Sequence, residues 1–149
     1  MTPMKKTVLF LCTGNYYRSR FAEHLFNHLA QDAGLPWQAD SRGLALELWV
    51  NPAPISPHTE KRLAKLAISR AEAHREPAQV TYGELRRADL IVALKEVEHR
   101  PILDTKFPGW AKQARFWHIH DVADLEPEQA LDQIEHEVRT LVQELRAAK

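Results

Sequence analysis

The chain has 149 residues, of which 44% are hydrophobic and 27% are charged, as is ordinary for a globular protein with one core. Twenty basic residues balance twenty acidic ones, so no global field favours nucleic acid or an anionic membrane as a partner. A single cysteine excludes an internal disulfide and fits a reducing compartment. No apolar stretch approaches the roughly 20 residues of a membrane span. We therefore expect one cytoplasmic domain, residues 1–149, without membrane insertion.

In the first half of the chain, two predicted strands flank a helix. Thr7–Leu11 is a short apolar run typical of a buried strand. From Phe21 onward, apolar residues recur at three- and four-residue spacing, as on one face of a helix, and Gly34 with a following proline ends it. The second strand is predicted at Trp37–Ser41, and residues 42–55 are interpreted as a long loop because they include the breaker-rich NPAP segment.

The second half begins with a helix whose N-cap is Ser56, followed by a proline at the first helical position. Thr81 and Glu84 have the spacing of a capping box at the start of a short helix. A continuous apolar run, Asp89–Leu94, predicts a strand buried on both faces. The remaining predicted elements are a helix over Glu96–Leu103, a turn over Lys106–Trp110, a fourth strand over Arg115–Ile119 and a terminal helix from about Pro127 to Arg146.

This alternation of strands and helices favours a parallel sheet with helices on both faces. We expect a three-layer α/β/α fold with a four-stranded parallel sheet in the flavodoxin-like order 2-1-3-4. Right-handed crossovers place the carboxyl ends of all strands on one edge, where ligands bind. The loop after the first strand and the loop that begins near His120-Asp121, after the fourth, then face the same crevice.

The most informative segment is VLFLCTGNYYRS, residues 8–19, which leads from the first strand into the first helix. Such a loop gathers backbone N–H groups around an anion. Cys12 opens the loop, and the helix N-terminus, the amides and the guanidinium of Arg18 all favour a thiolate there. Gly14 is expected to allow the tight curvature of the loop.

The other residues of the segment suit phosphate chemistry. Arg18 can hold two phosphate oxygens and stabilise the charge that spreads over them during transfer. Ser19 can donate a hydrogen bond to the sulfur, and Asn15 can brace the loop backbone. The alternatives without a chemical role are a buried core thiol at Cys12 and a surface ion pair at Arg18. The occurrence of Gly14, Arg18 and Ser19 together with Cys12 disfavours both. We assign phosphate binding to Thr13, Gly14, Asn15, Tyr16, Tyr17 and Arg18.

This segment, followed by FAE, resembles the signature of the low-molecular-weight protein tyrosine phosphatases, Cys-x5-Arg-Ser with Gly and Asn at the second and third loop positions. The resemblance continues in ADS at 39–41, NPAPISPHT at 51–59 and VTYGELRRADLIVAL at 80–94. His120-Asp121 is placed like the late acidic loop of the family, before a similar terminal helix. The resemblance covers nearly the whole chain.

The resemblance implies a two-step hydrolysis of phosphotyrosine in proteins, with no metal or other cofactor. Cys12 attacks phosphorus in line and forms a phosphocysteine while an aspartic acid protonates the leaving phenolate. The same carboxylate then activates water. The acid of the family usually stands in an Asp-Pro pair, whereas this chain has Asp121-Val122-Ala123-Asp124. We place the general acid at Asp121, with Asp124 as the alternative; Asp121 could also be a plain solvated acid.

Two loop residues depart from the pattern of the family. Tyr17 stands where many members carry a second cysteine, which can trap the oxidised nucleophile as a disulfide. Tyr16 stands where an aliphatic residue is common and where members specific for phosphoarginine have threonine. We assign Tyr16, together with Trp49 in the long loop, to the rim of the substrate pocket, with core packing as the alternative. Because of these two tyrosines, the resemblance does not determine which substrate fits the pocket.

Two further functions fit some of these residues. An arsenate reductase of the related branch needs additional cysteines for its shuttling disulfide, and this chain has Cys12 alone. A phosphate- or phosphoprotein-binding module with weak or no turnover would account for the missing Asp-Pro pair and for the two tyrosines.

The histidines show no spacing typical of a metal site, since His24 and His28 lack the glutamate of a zinc motif between them. We expect both to be solvated. The expected partners are phosphate and a phosphotyrosine-containing protein such as a tyrosine kinase, with no nucleic acid. The chain is expected to be a monomer or a weak dimer.

Overall fold

The computed structural model describes residues 5–48, 55–68, 75–119 and 127–148. Its strands are β1 (Lys6–Cys12), β2 (Trp37–Gly43), β3 (Leu90–Ala93) and β4 (Ala114–Phe116). Its α-helices are α1 (Arg18–Ala33), α2 (Pro57–Lys65), α3 (Tyr82–Arg87), α4 (Glu96–Lys106) and α5 (Pro127–Ala147), and short 3-10 helices cover Leu46–Leu48 and Trp110–Gln113.

The four strands form one parallel sheet in the order β2-β1-β3-β4. The predicted topology is therefore confirmed. β1 is a central strand, and its last residue, Cys12, pairs with Gly43 at the end of β2, while Leu11 pairs with Ala93 at the end of β3. The carboxyl ends of the three strands meet at one edge of the sheet, where parallel sheets bind their ligands.

Alternation along β1 divides the core into two layers, because successive side chains of a strand point to opposite faces. Val8 and Phe10 pack with α1 and α5 in one cluster. Leu9 and Leu11 pack on the other face, with Leu85 of α3 and with residues of α4. Helices therefore cover both faces of the sheet, which fixes β1 and the loop after it between two packed layers.

The local signals in the sequence act as expected. Ser56 accepts a hydrogen bond from the backbone N–H of His58, with Pro57 at the first helical position of α2. Thr81 and Glu84 form a complete capping box at α3. Gly34 ends α1 in the left-handed conformation, at φ 66°.

Several boundaries differ from the prediction. β2 extends to Gly43 and a 3-10 helix covers Leu46–Leu48, so the prediction of an unbroken loop from residue 42 was wrong. Helix α4 continues beyond Leu103 to Lys106 and accommodates Pro101 in its interior. Strand β4 is shorter than predicted, but the Trp117 N–H still donates to Ala93 O at 2.9 Å, so the chain follows β3 beyond the end of β4.

Within the described ranges, no helix combines the length and the apolar character needed to cross a membrane.

Candidate active site

The site is built at the strand-to-helix junction between Cys12, the last residue of β1, and Arg18, the first residue of α1. Cys12 is 3% exposed. Tyr17, the N-cap of α1, makes no capping hydrogen bond with its side chain, and the first turn contains no acidic residue. A helix start of this kind presents its partial positive charge to the loop, which favours an anion.

The Cys12 sulfur lies against a buried hydroxyl group. Cys12 Sγ and Ser19 Oγ are 2.9 Å apart, and Ser19 is fully buried. Asn15 Nδ2 donates to Ser19 Oγ at 3.0 Å, so the Ser19 hydroxyl accepts from one side and can direct its own hydrogen at the sulfur. The pair can therefore stabilise a thiolate.

Asn15 determines the shape of the loop. Its φ is 50°, a left-handed conformation that asparagine tolerates better than most residues. Its Nδ2 donates to Ser19 Oγ and, at 2.9 Å, to Ser41 Oγ. Its Oδ1 accepts from Arg75 Nη1 and from the Ala78 N–H, both at 3.0 Å. The side chain thus uses both donors and both acceptor positions. The left-handed residue of the loop is Asn15, whereas we had expected the curvature at Gly14.

The contacts continue beneath the loop. Ser41 Oγ donates to Glu23 Oε1 at 2.5 Å, and Arg75 Nη2 donates to the same oxygen at 3.1 Å. Arg20, fully buried, donates to Asn15 O at 3.3 Å and to Arg75 O at 2.8 Å. We call Asn15, Ser41, Glu23, Arg75 and Arg20 the inner network.

Burial acts on the charges of the inner network. It raises the pKa of Glu23, against the lowering effects of the hydrogen bond from Ser41 and the charge of Arg75. Burial, together with the charge of Arg75, lowers the pKa of Arg20 to about 10. Arg20 therefore remains a cation at neutral pH, held against backbone carbonyl groups below the loop.

The end of β2 comes close to the loop. The Leu44 N–H donates to Cys12 O at 2.8 Å, and the Ala45 N–H donates to Thr13 O at 3.1 Å. A Cβ atom added to Gly43 would lie 2.8 Å from Thr13 O and 3.2 Å from Asn15 N. Glycine at this position is what allows the strand and the loop to pack.

A second group of contacts closes the opposite side of the loop. Glu98, near the start of α4, accepts from Arg18 Nη2 at 3.0 Å and from Arg18 Nη1 at 3.5 Å. Thr13 Oγ1 donates to the same carboxylate. We call Thr13, Arg18 and Glu98 the outer contact. Burial raises the pKa of Glu98, but the adjacent His99 imidazole and the nearby charge of Arg18 outweigh burial and hold that pKa well below its usual range.

The two loop tyrosines are half-buried. Tyr16 O accepts from the Ser56 N–H at 2.9 Å, and Tyr17 O accepts from Thr59 Oγ1 at 3.1 Å, so both tie the loop backbone to α2. Tyr17 also packs against the core, and burial raises the pKa of its phenol to about 12. Trp49, Asp121 and Asp124 lie outside the described residues.

The sequence predicted the residues of the loop but not the residues that contact the loop from other parts of the chain. The structure brings Cys12 and Ser19 together and places Arg18 at the helix start. Arg75, Ser41 and Glu98 were not predicted. Glu98 follows the predicted third strand at the same edge of the sheet, which was a usable signal, whereas Arg75 belongs to no motif.

His24 was also misjudged. We expected it to be solvated, but it is 6% exposed, on the face of α1 that turns toward the inner network. Burial, reinforced by the charges of Arg20 and Arg75, lowers its pKa to about 4. His24 is therefore neutral at physiological pH. Among the described residues no cluster of three or more potential metal ligands is present.

Comparisons with known proteins agree with this geometry. A model of the low molecular weight phosphotyrosine protein phosphatase family matches residues 7–149. A low molecular weight protein-tyrosine-phosphatase from Streptomyces coelicolor is 34% identical over 91 residues, which are 61% of this chain and 54% of that protein. The chain thus spans about half the length of that relative.

Solved structures show the same fold over nearly the whole chain. YfkJ from Bacillus subtilis superposes with a TM-score of 0.83 at 22% identity, covering 99% of this chain and 98% of that one. The YwlE arginine phosphatase from Geobacillus stearothermophilus superposes with a TM-score of 0.74 at 21% identity, covering 96% and 94%. Because the family model extends over nearly all of the residues that build the sheet and the anion loop, the chain belongs to the low molecular weight phosphotyrosine protein phosphatase family.

Proposed function

We propose that this chain hydrolyses phosphotyrosine monoesters in proteins, through a phosphocysteine on Cys12. The observation that carries the proposal is the 2.9 Å contact between Cys12 Sγ and Ser19 Oγ at the start of α1, beside Arg18. A thiolate needs such partners, and a core cysteine does not. We further infer that the enzyme acts in the cytoplasm, on a phosphoprotein such as a tyrosine kinase.

In the first step, the Cys12 thiolate attacks phosphorus and the bond from phosphorus to the phenolic oxygen breaks. Arg18 and the amides of residues 13–18 stabilise the negative charge on the three equatorial oxygens. We assign to Asp121 the proton that the leaving phenolate takes up. The products are a neutral phenol and the phosphocysteine.

In the second step, water attacks the phosphocysteine and gives a proton to the Asp121 carboxylate. The phosphorus–sulfur bond breaks and releases inorganic phosphate. The Ser19 hydroxyl, directed at the sulfur, stabilises the departing thiolate. The cycle ends with Asp121 protonated and Cys12 anionic, as it began.

The direct test is hydrolysis of an aryl phosphate at mildly acidic pH by the wild type and by Cys12→Ser. We expect measurable turnover by the wild type and a loss of at least about 1000-fold in the variant. A variant that retains the activity would disprove the role of Cys12. Tight vanadate binding by a wild type that does not turn over would instead indicate a binding module.

The general acid is tested by comparing Asp121→Ala with Asp124→Ala. We expect kcat to fall by about 10²–10⁴-fold in Asp121→Ala, with phosphate binding retained, and Asp124→Ala to behave as the wild type. The reverse pattern would move the acid to Asp124.

The substrate class is tested by competition between phosphotyrosine and phosphoarginine peptides, since one of the similar structures is described as an arginine phosphatase. Tyr16 favours phosphotyrosine, because members specific for phosphoarginine carry threonine at that position. We expect the higher kcat/KM on phosphotyrosine. A preference for phosphoarginine would overturn the substrate assignment and leave the phosphocysteine chemistry intact.

A further inference from the structure

Glu98 has no part in the mechanism above, yet it contacts two of the residues that flank the anion loop. Its carboxylate accepts from Thr13, which directly follows the nucleophile, and from Arg18, five residues further on. The side chain of Arg18 is 10% exposed and that of Glu98 is 28% exposed. A charge-assisted pair at this depth is stronger than one on the open surface.

The contact engages one particular edge of the guanidinium group. Glu98 approaches Nη1 and Nη2, the end of the group. A bidentate phosphate can be held by a different edge, the one formed by Nε and Nη2, since Nη2 carries two hydrogens. The guanidinium group therefore has the donors to pair with a carboxylate at its end and with a phosphate at its side.

Glu98 also lies outside the ring of loop amides. Its side-chain partners in the structure are Thr13, Arg18 and His99, and none of the backbone N–H groups of residues 13–18 is among them. A carboxylate that occupied the phosphate position would accept from those amides. Glu98 instead bridges the loop from its rim.

The Glu98 carboxylate also contacts His99, the next residue of α4. His99 is fully buried, and its Nδ1 accepts from the Lys95 N–H at 3.0 Å, which assigns its hydrogen to Nε2. Nε2 lies 3.2 Å from Glu98 Oε2, although without the alignment of a full hydrogen bond. The neutral, buried imidazole of His99 thus lies against the Glu98 carboxylate near the start of α4.

We propose that Glu98 is a positioning residue for the phosphate site, holding Arg18 end-on and fastening Thr13 to it before the substrate arrives. The proposal rests on the proposed function, in which Arg18 stabilises the transferred phosphoryl group. A guanidinium held in advance loses less freedom on binding, and a displacement of about 1 Å can cost about 100-fold in rate.

Three substitutions of Glu98 distinguish the effect of its contact with Arg18 from the effect of its negative charge. Glu98→Gln keeps the length and one acceptor oxygen but removes the charge, and we expect kcat/KM on an aryl phosphate within about 3-fold of the wild type. Glu98→Ala removes the contact, and we expect a loss of about 10–100-fold, mainly in kcat. Glu98→Asp keeps the charge but is one methylene too short to reach both partners, so it should resemble Glu98→Ala.

The matched control is Glu96→Ala, an acid on the same helix whose side chain pairs with Arg100 and His118. It should leave kcat/KM unchanged, and thermal melting of all variants verifies that they fold. Equal activity in the wild type, Glu98→Ala and Glu98→Asp would overturn the proposal. A rise in kcat/KM in both Glu98→Gln and Glu98→Ala would overturn it as well, since Glu98 would then obstruct the site.

Calorimetric binding of inorganic phosphate keeps the test independent of turnover. If Glu98 positions Arg18, Glu98→Gln should bind phosphate about tenfold more tightly than Glu98→Ala, because both lack the charge and one alone keeps the contact. Equal affinities would contradict the proposal. A wild type without aryl phosphatase activity would refute the proposed function, and the order of these affinities would still decide the role of Glu98.

Discussion

The anion loop is held in two different ways on its two sides. The inner network fixes Asn15 through four hydrogen bonds to buried or half-buried groups. The outer contact consists of one carboxylate that joins Thr13 and Arg18 at the rim. On the inner side the Asn15 side chain has all of its donors and acceptors satisfied, as a buried network requires, whereas the outer side is partly open to solvent.

We infer from this difference that the inner network maintains the shape of the loop and that the outer contact serves the proposed reaction. Residues of the inner network are part of the fold, so their loss should lower both stability and activity. Arg18 and Glu98 lie on the side of the loop that is partly open to solvent, and in the proposed mechanism Arg18 binds the phosphoryl group. We therefore expect their replacement to lower activity more than stability.

The largest effect is expected at Arg18, on the outer side. Arg18→Lys keeps a positive charge but has no planar fork for two phosphate oxygens. We expect kcat on an aryl phosphate to fall by about 1000-fold, while the free energy of unfolding changes by less than about 1 kcal/mol, because lysine keeps a positive charge beside Glu98. Steady-state kinetics and urea unfolding measure the two quantities. A large loss of stability would show that the outer contact also belongs to the fold.

The next effect is expected at Asn15, on the inner side. Asn15→Ala leaves the donors of Arg75 and Ala78 without their acceptor and places alanine at φ 50°. We expect the free energy of unfolding to fall by about 3–4 kcal/mol, and activity to fall with it. Asn15→Gly is the control, since glycine tolerates this φ. If glycine restores the stability, backbone strain dominates, and the inner network contributes less than its geometry indicates.

The same division explains what could be predicted from the sequence. The sheet order follows from alternating apolar runs, and the loop follows from Cys12, Asn15, Arg18 and Ser19, which stand within eight residues. Short-range patterns of this kind are visible in a single sequence.

The partners of the loop come from distant parts of the chain, and no local pattern marks them. Ser41 is 26 residues from Asn15, Arg75 is 60 residues from it, and Glu98 is 80 residues from Arg18. They meet because β2 and β3 flank β1 and because the chain returns to the same edge. Tertiary contact also explains His24, which the helical pattern placed in solvent and the inner network buries.

The smallest effect is expected at His24, which adjoins the inner network and has no role in the proposed mechanism. Its pKa is lowered to about 4, so in the folded chain it stays neutral while the unfolded chain binds a proton below about pH 6.5. Its contribution to stability is therefore complete above pH 6.5 and is lost as the pH falls toward 4. This loss amounts to up to about 3 kcal/mol.

His24→Leu should remove that pH dependence. Leucine carries no titrating group, and His24 Nε2 has no hydrogen-bond partner among the described residues, so the variant should lose little stability at pH 7.5. Urea unfolding at pH 7.5 and at pH 4.5 measures the difference, and Glu23, which titrates in both proteins, cancels in the comparison. His28→Leu, on the half-buried part of the same helix, is the matched control for the placement of leucine at a histidine position of α1. If the free energy of unfolding of His24→Leu changed with pH as it does in the wild type, the inner network would not exclude water from this imidazole. The shape of the inner network would then depend less on burial than on its hydrogen bonds.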